Sequence, residues 1–203
     1  MTPENSLPKP ARRQQIHTRT YRGEVFERED GLFDVEVDMQ DTKPFSFDNA
    51  DRGYIAAGEP LHHMKMRVTL DDTLRIVEVE ARTFASPYHM CADITPNYKQ
   101  LIGVQLTSGF SKKVLEITGK TAGCTHHNDI LRVVGTTAFQ GLWTVISRRQ
   151  QARAQKQGGT AQEPELAGRV VSTALLNSCH VYGSSSPIVA RQWPELYQPK
   201  EAE

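Results

Sequence analysis

The sequence predicts an α+β fold, an antiparallel sheet of three to five strands with helices packed on one face. Three observations predict it. Phe33, Val35, Val37 and Met39 alternate with Asp34, Glu36 and Asp38, the period of a half-buried strand. Met64, Met66, Val68 and Leu70 repeat the pattern against Lys65, Arg67 and Thr69. From Thr125 the period changes, and Leu131, Val134, Ala138, Leu142 and Val145 fall at helical spacing as far as about Arg149.

The remaining elements follow in order. A more polar strand is expected over Thr18 to Phe26, joined to the Phe33 strand by the turn signal Arg28-Glu29-Asp30-Gly31. Lys43 to Pro60 carries glycine, proline and aspartate without periodicity and predicts a long loop. Asp71-Asp72-Thr73 turns the Met64 strand into a partner over Leu74 to Phe84. Thr95-Pro96 reads as an N-cap followed by proline at the first helical position, opening a short helix to about Leu106. Gly109 and Gly119 bracket a short element around Lys112 to Ile117 whose type the pattern leaves open. The expected organisation is a flexible segment over 1–15 and a single α+β domain over 16–149. An exposed linker over 150–164 and a segment over 165–203 packing back onto the domain complete it.

Composition narrows the function. Lys plus Arg and Asp plus Glu each number 24 in 203 residues, which removes the broad basic footprint of a nucleic-acid binder. No apolar run approaches a membrane span, and the polar start has no signal-peptide core. Three cysteines, an odd number, imply reduced thiols. A soluble cytoplasmic protein is therefore expected, with no nucleic acid or membrane as partner. Homo-oligomerisation stays open.

Each cysteine lies next to a histidine or within two residues of one. Cys91 ends Pro87-Tyr88-His89-Met90-Cys91, Cys124 lies in Gly123-Cys124-Thr125-His126-His127, and Cys179 in Ser178-Cys179-His180. With Thr125 as N-cap, Cys124 sits just outside the long helix and His126 in its first turn. Free N–H groups and the positive dipole end favour a thiolate and a neutral imidazole there. In Leu61-His62-His63-Met64, alternation places His62 with Met64 on the core face and His63 with Lys65, so His62 is the candidate to share a site with Cys124.

These residues suggest a catalytic set of His62, Tyr88, Cys124 and His126, in which His126 or His62 is the base and Tyr88 the proton donor. Arg19 or Arg28 would hold a carboxylate or phenolate, Asp41 would orient a histidine or cap the sheet edge, and Cys91 would line the pocket. The expected chemistry is that of a lyase or hydrolase without an organic cofactor. No Cys-x-x-Cys, His-Glu-x-x-His, phosphate loop or nucleophile elbow occurs, so any metal site must be assembled from distant segments. The rival expectation is zinc or an iron–sulfur cluster on Cys91, Cys124, His126 and Cys179. A non-catalytic ligand- or partner-binding module is the third.

Several motifs together are specific: Arg28-x-Asp30-Gly31, Asp41-Thr42-Lys43, Gly58-x-Pro60-x-His62-x-Met64, Pro87-Tyr88-x-x-Cys91, Leu101-x-Gly103, Gly123-Cys124-Thr125-His126, Ser178-Cys179-His180 and Arg191-x-x-Pro194. On these the chain resembles a bacterial family, domain-of-unknown-function family 2889, from about His17 to Tyr197. The pattern implies a leucine where His127 stands and an acidic residue where His63 stands. The resemblance also implies catabolism of aromatic or acyl compounds, hence a small-molecule enzyme, with a lyase releasing formaldehyde from an aryl side chain as one option. In architecture the chain is similar to the iron–sulfur scaffold fold of the NifU type, with Leu101-Ile102-Gly103 at the helix-to-glycine turn. The middle cysteine of that scaffold has no counterpart, and Cys179 comes from a tail the scaffold lacks.

Overall fold

Alternation builds the sheet, and its inward rows carry the core. The structure, a computed structural model, describes residues 8–156 and 175–199. Strands β1 (Thr18–Glu27), β2 (Phe33–Thr42), β5 (His62–Leu70) and β6 (Ile76–Ala85) form one antiparallel sheet in the order β1-β2-β5-β6. Gly31, at φ +88°, closes the first hairpin, and Asp30 Oδ1 accepts from the Leu32 N–H at 3.2 Å. At the second turn Asp71 Oδ1 accepts from the N–H groups of Thr73 and Arg75.

The stretch expected to be a loop instead holds a second small sheet, β3 (Phe47–Asn49) paired with β4 (Gly53–Ile55). Three-residue strands are too short to show alternation. Asn49 Oδ1 accepts from the N–H groups of Asp51 and Arg52 and shapes the turn. Arg52 then reaches the Pro60 carbonyl at 2.7 Å and pairs with Glu59, tying the hairpin down.

Phe33, Val35, Val37, Met39, Met64, Met66, Val68 and Leu70 are sealed from solvent on the inner face. Helix α2 (Thr125–Lys156) covers them with Ile130, Leu131, Val134, Ala138, Leu142 and Ile146. Two glycines allow its close approach to β1: a Cβ at Gly23 would lie 2.6 Å from Thr137 Oγ1, and one at Gly141 2.7 Å from Val25 Cγ2. The opposite face is charged, with Glu36 held by Lys65 and Arg67 and Asp38 by His63. One dry face and one wet face is the usual economy of an antiparallel sheet.

The short helix expected from Thr95 is a run of 3₁₀ turns over His89–Leu101, with Pro96 inside it. Thr95 does not cap, because its hydroxyl donates back to the Ala92 carbonyl at 2.9 Å within turns already under way. The open element is α1 (Phe110–Thr118), entered through Gly109 at φ +86°. Helix α2 continues to Lys156, into the stretch read as a linker, whereas 157–164 and the start of the closing segment, 165–174, lie outside the described residues. Further on, α3 (Pro187–Gln192) is capped by Ser186, whose Oγ accepts from the Val189 N–H at 3.2 Å. Val189 is fully buried, and Leu175, Cys179 and Tyr182 share a cavity of about 490 Å³ with Phe110, Arg132 and Phe139 of the body. Among the described residues no helix is long and apolar enough to cross a membrane.

Candidate functional site

The inner face of the sheet ends in a polar row. Arg19 of β1 stands opposite Asp41 of β2, which stands opposite His62 of β5. Directly opposed residues point to the same side, so the three side chains meet. Asp41 is 1% exposed, and an ionised carboxylate so buried needs partners. Arg19 donates from Nε to Oδ1 and from Nη2 to Oδ2, both at 2.7 Å, a bidentate clamp. His62 Nδ1 lies 3.0 Å from Oδ2, and His17 Nε2 lies 3.2 Å from Oδ1.

The second half of the site comes from the first turn of α2. The His126 ring stacks on His62 with centroids 3.9 Å apart. Its Nε2 is 3.8 Å from Asp41 Oδ2 and its Nδ1 is 3.8 Å from Cys124 Sγ. Asp129, one helical turn after His126, approaches Arg19 Nη1 at 3.5 Å and closes the ring of charges. The cluster is reachable from solvent, since the side chains of His126, Arg19 and His17 are 21%, 31% and 38% exposed.

Electrostatics settle the charge states. Burial pushes the Asp41 carboxyl up, but the Arg19 guanidinium, helped by His62 and His17, overrides it and holds the group below the usual carboxylate range. Burial first, then the neighbouring His126, pushes His62 down to about 4 against the pull of Asp41. His126 is lowered by burial and by Arg19. Both imidazoles are therefore neutral at neutral pH, the form in which a histidine is a base or a metal ligand.

A buried network fixes the start of α2. The Asn128 N–H donates to the Cys124 carbonyl at 3.0 Å, so Cys124, one residue earlier than expected, is the N-cap. The Tyr98 hydroxyl accepts from the Cys124 N–H at 2.8 Å. It lies 3.0 Å from the Cys124 carbonyl and 3.1 Å from Asn128 Oδ1, and its single proton goes to one of them. Thr118 holds Asn128 through both hydroxyl and carbonyl. His127 is sealed against Tyr98, its ring centroid 5.2 Å from the tyrosine's. Burial pushes it down to about 4 against the Arg82 backbone, which pulls it up, and neither ring nitrogen makes a hydrogen bond of good geometry among the described residues.

The structure thus brings together Arg19, Asp41, His62, Cys124 and His126. It does not add Arg28, whose guanidinium is spent on Asp30 and Asp34 at the far end of the β1–β2 hairpin, roughly 30 Å of strand away. Tyr88 is 56% exposed where the chain leaves the sheet. Asp41, His62 and His126 are the only three His, Cys, Asp or Glu side chains among the described residues whose ligand atoms all lie within 4.8 Å of one another. The set of Cys91, Cys124, His126 and Cys179 is therefore not assembled. Cys91 belongs to the 3₁₀ run and Cys179 is exposed at the α1–α2 cavity. His17 and Asp129 were missed, although His17 shares the face of Arg19 by alternation and Asp129 the face of His126 by helical spacing.

No curated protein and no solved structure matches the chain, so the likeness to the iron–sulfur scaffold is not shown. A family model described as "Protein of unknown function (DUF2889)" matches residues 17–140. That span opens on the first histidine of the cluster and runs past Asp129, its last member. It covers more than half of the sequence, and the chain belongs to the DUF2889 family.

Proposed function

We propose that the chain is a small-molecule enzyme of the lyase type, working by acid–base chemistry and without an organic cofactor on an aryl compound. The observation that supports it is one buried carboxylate, Asp41, gathering two neutral histidines and an arginine from separate elements, with the His126 and Arg19 side chains reached by solvent. Asp41 takes the Nδ1 proton of His62 in a hydrogen bond, which fixes the tautomer and leaves Nε2 with its lone pair. Arg19, committed to Asp41 through both nitrogens, positions that carboxylate; it is not a substrate anchor.

In such a reaction His62 removes the proton of a substrate hydroxyl. The O–H electron pair becomes the second bond of a carbonyl, the adjacent C–C bond breaks, and a small fragment such as formaldehyde leaves. The electron pair stays on the remaining carbon, delocalised into the aryl ring, until a proton returns from the imidazolium. His126, stacked on His62, raises the cost of keeping that proton and so favours its return. Atoms and electrons balance with no oxidant.

The test is aldehyde release from a panel of aryl compounds bearing a hydroxymethyl group on the benzylic carbon. Release by the wild type, lost in folded His62→Ala and sharply reduced in Asp41→Asn, is the expected result. No release across the panel counts against lyase chemistry on this class.

A specific spacing favours a second reading, in which Asp41, His62 and His126 hold zinc. Their atoms lie 3.0 and 3.8 Å apart along the two pairs through Asp41 Oδ2, straddling the edge of about 3.3 Å of a tetrahedron with zinc bonds of about 2.0–2.1 Å. Neutral imidazoles and an ionised carboxylate are the right donors, and bound zinc would polarise a substrate oxygen. Against it, Arg19 already occupies both oxygens of Asp41. Metal analysis of chelator-free protein decides: stoichiometric zinc that disappears in His62→Ala supports this reading, and active metal-free protein removes it.

A further inference from the structure

The two edges of the main sheet are treated differently. The outer edge of β6 is bonded at its start, where the Ile76 N–H donates to Val104, the Gly103 N–H to Ile76 and Arg75 bridges to Gln105, and the 3₁₀ run packs against the strand. At the other edge β1 runs ten residues in unbroken register with β2, and nothing among the described residues pairs with its outer side. It has no proline and no bulge, two of the devices that blunt an exposed edge, and its charges are of both signs. Along it the charges separate, with Arg19 and Arg22 in the first half and Glu24 and Glu27 in the second.

From these observations we infer that β1 is a dimer edge, pairing antiparallel with β1 of a second copy about a two-fold axis through Gly23. A two-fold perpendicular to the sheet keeps each residue on its own face, so only residues of like parity can stand opposite one another. Four such registers overlap at least seven of the strand's ten residues, and the one centred on Tyr21 sets every charge opposite an uncharged residue, so it gains no ion pair. Centring on Arg22 sets arginine against arginine, and centring on Glu24 sets glutamate against glutamate. Centring on Gly23 sets Arg22 opposite the partner's Glu24. Arg19 then stands opposite the partner's Glu27, two groups already engaged within each copy by Asp41 and by Arg149. It also sets Tyr21 opposite the partner's Val25 and Thr20 opposite the partner's Phe26. Opposite charges and aromatic–β-branched neighbours are the favourable cross-strand pairs, and symmetry makes each of them twice. Tyr21 and Phe26, 37% and 46% exposed in the single chain, gain cover. The result is one eight-stranded sheet whose two α2 helices lie on the same side.

Sedimentation across a concentration series tests this, since the Arg22 and Glu24 side chains are 78% and 42% exposed and, among the described residues, pair only with each other. The wild type is expected at twice the chain mass of 22.8 kDa. Arg22→Glu, which sets like charges opposite at both symmetry-related pairs, is expected to weaken the dimer by roughly tenfold or more. The double variant Arg22→Glu with Glu24→Arg is expected to restore it. A monomeric wild type, a dimer indifferent to Arg22→Glu, or a double variant that stays weakened each overturns the proposal.

Discussion

Asp41 holds its place at a cost that its neighbours offset, and the balance makes two residue-scale predictions. Burial, with His126, lowers His62 to about 4. A base must be unprotonated to act, so kcat/KM is expected to hold as pH falls through 6.5 and to decline only near 4. A limb at the ordinary histidine value of about 6.5 would mean that His62 is solvated or is not the base. His62→Ala should lower kcat/KM by ~10²–10⁴-fold, the usual weight of a general base. His127 is the opposite case, a polar ring in an apolar slot that makes no hydrogen bond of good geometry among the described residues and meets only the Arg82 backbone. Leucine, the residue the family resemblance implies there, fills that slot without stranding a donor. His127→Leu should therefore stabilise the fold by about 1–3 kcal/mol, raising Tm by about 2–4 °C per kcal/mol. A lower Tm would show that the ring nitrogens are satisfied after all.

Among the elements, α2 matters most, since it both roofs the core and delivers His126. Gly141→Ala drives a methyl to 2.7 Å from Val25 and should destabilise by about 1–3 kcal/mol through overpacking, read as a lower urea midpoint with an unchanged slope. The elements also differ in how legible they were. The rows of β2 and β5 and the helical spacing of α2 repeat often enough for period alone to reveal them, and the parity of His62 with Met64 places it correctly on the inner face. The β3–β4 hairpin could not be read, because three residues do not make a period and its stability comes from Asn49 and Arg52 reaching non-neighbours. The pairing of Arg19 with Asp41 depends on register, which no single strand encodes. Sequence proximity of cysteine to histidine was informative only at Cys124, where helix geometry joins it to His126. At Cys91 and Cys179 it marked nothing that the described structure gathers.

For the molecule as a whole, these buried groups tie stability to pH. His62 and His127 both fall from about 6.5 in an unfolded chain to about 4 when folded, and His126 shifts in the same sense. Between those values the unfolded state binds protons that the folded state refuses, so stability is fully present above pH 6.5 and is lost as pH falls toward 4. Asp41, held below its ordinary value, extends the loss to lower pH, because its contribution is present above the unfolded carboxylate value and disappears as the folded value is crossed. Each fully shifted histidine contributes a slope of about 1.4 kcal/mol per pH unit across the steep part of that window. Urea titrations at several pH values should show stability falling from pH 6.5 downward. In His127→Leu the fall should be shallower by one histidine's share while the part due to His62 remains. If the variant keeps the full slope, the His127 ring is not held neutral, and the acid sensitivity arises at the Asp41 cluster or elsewhere in the chain.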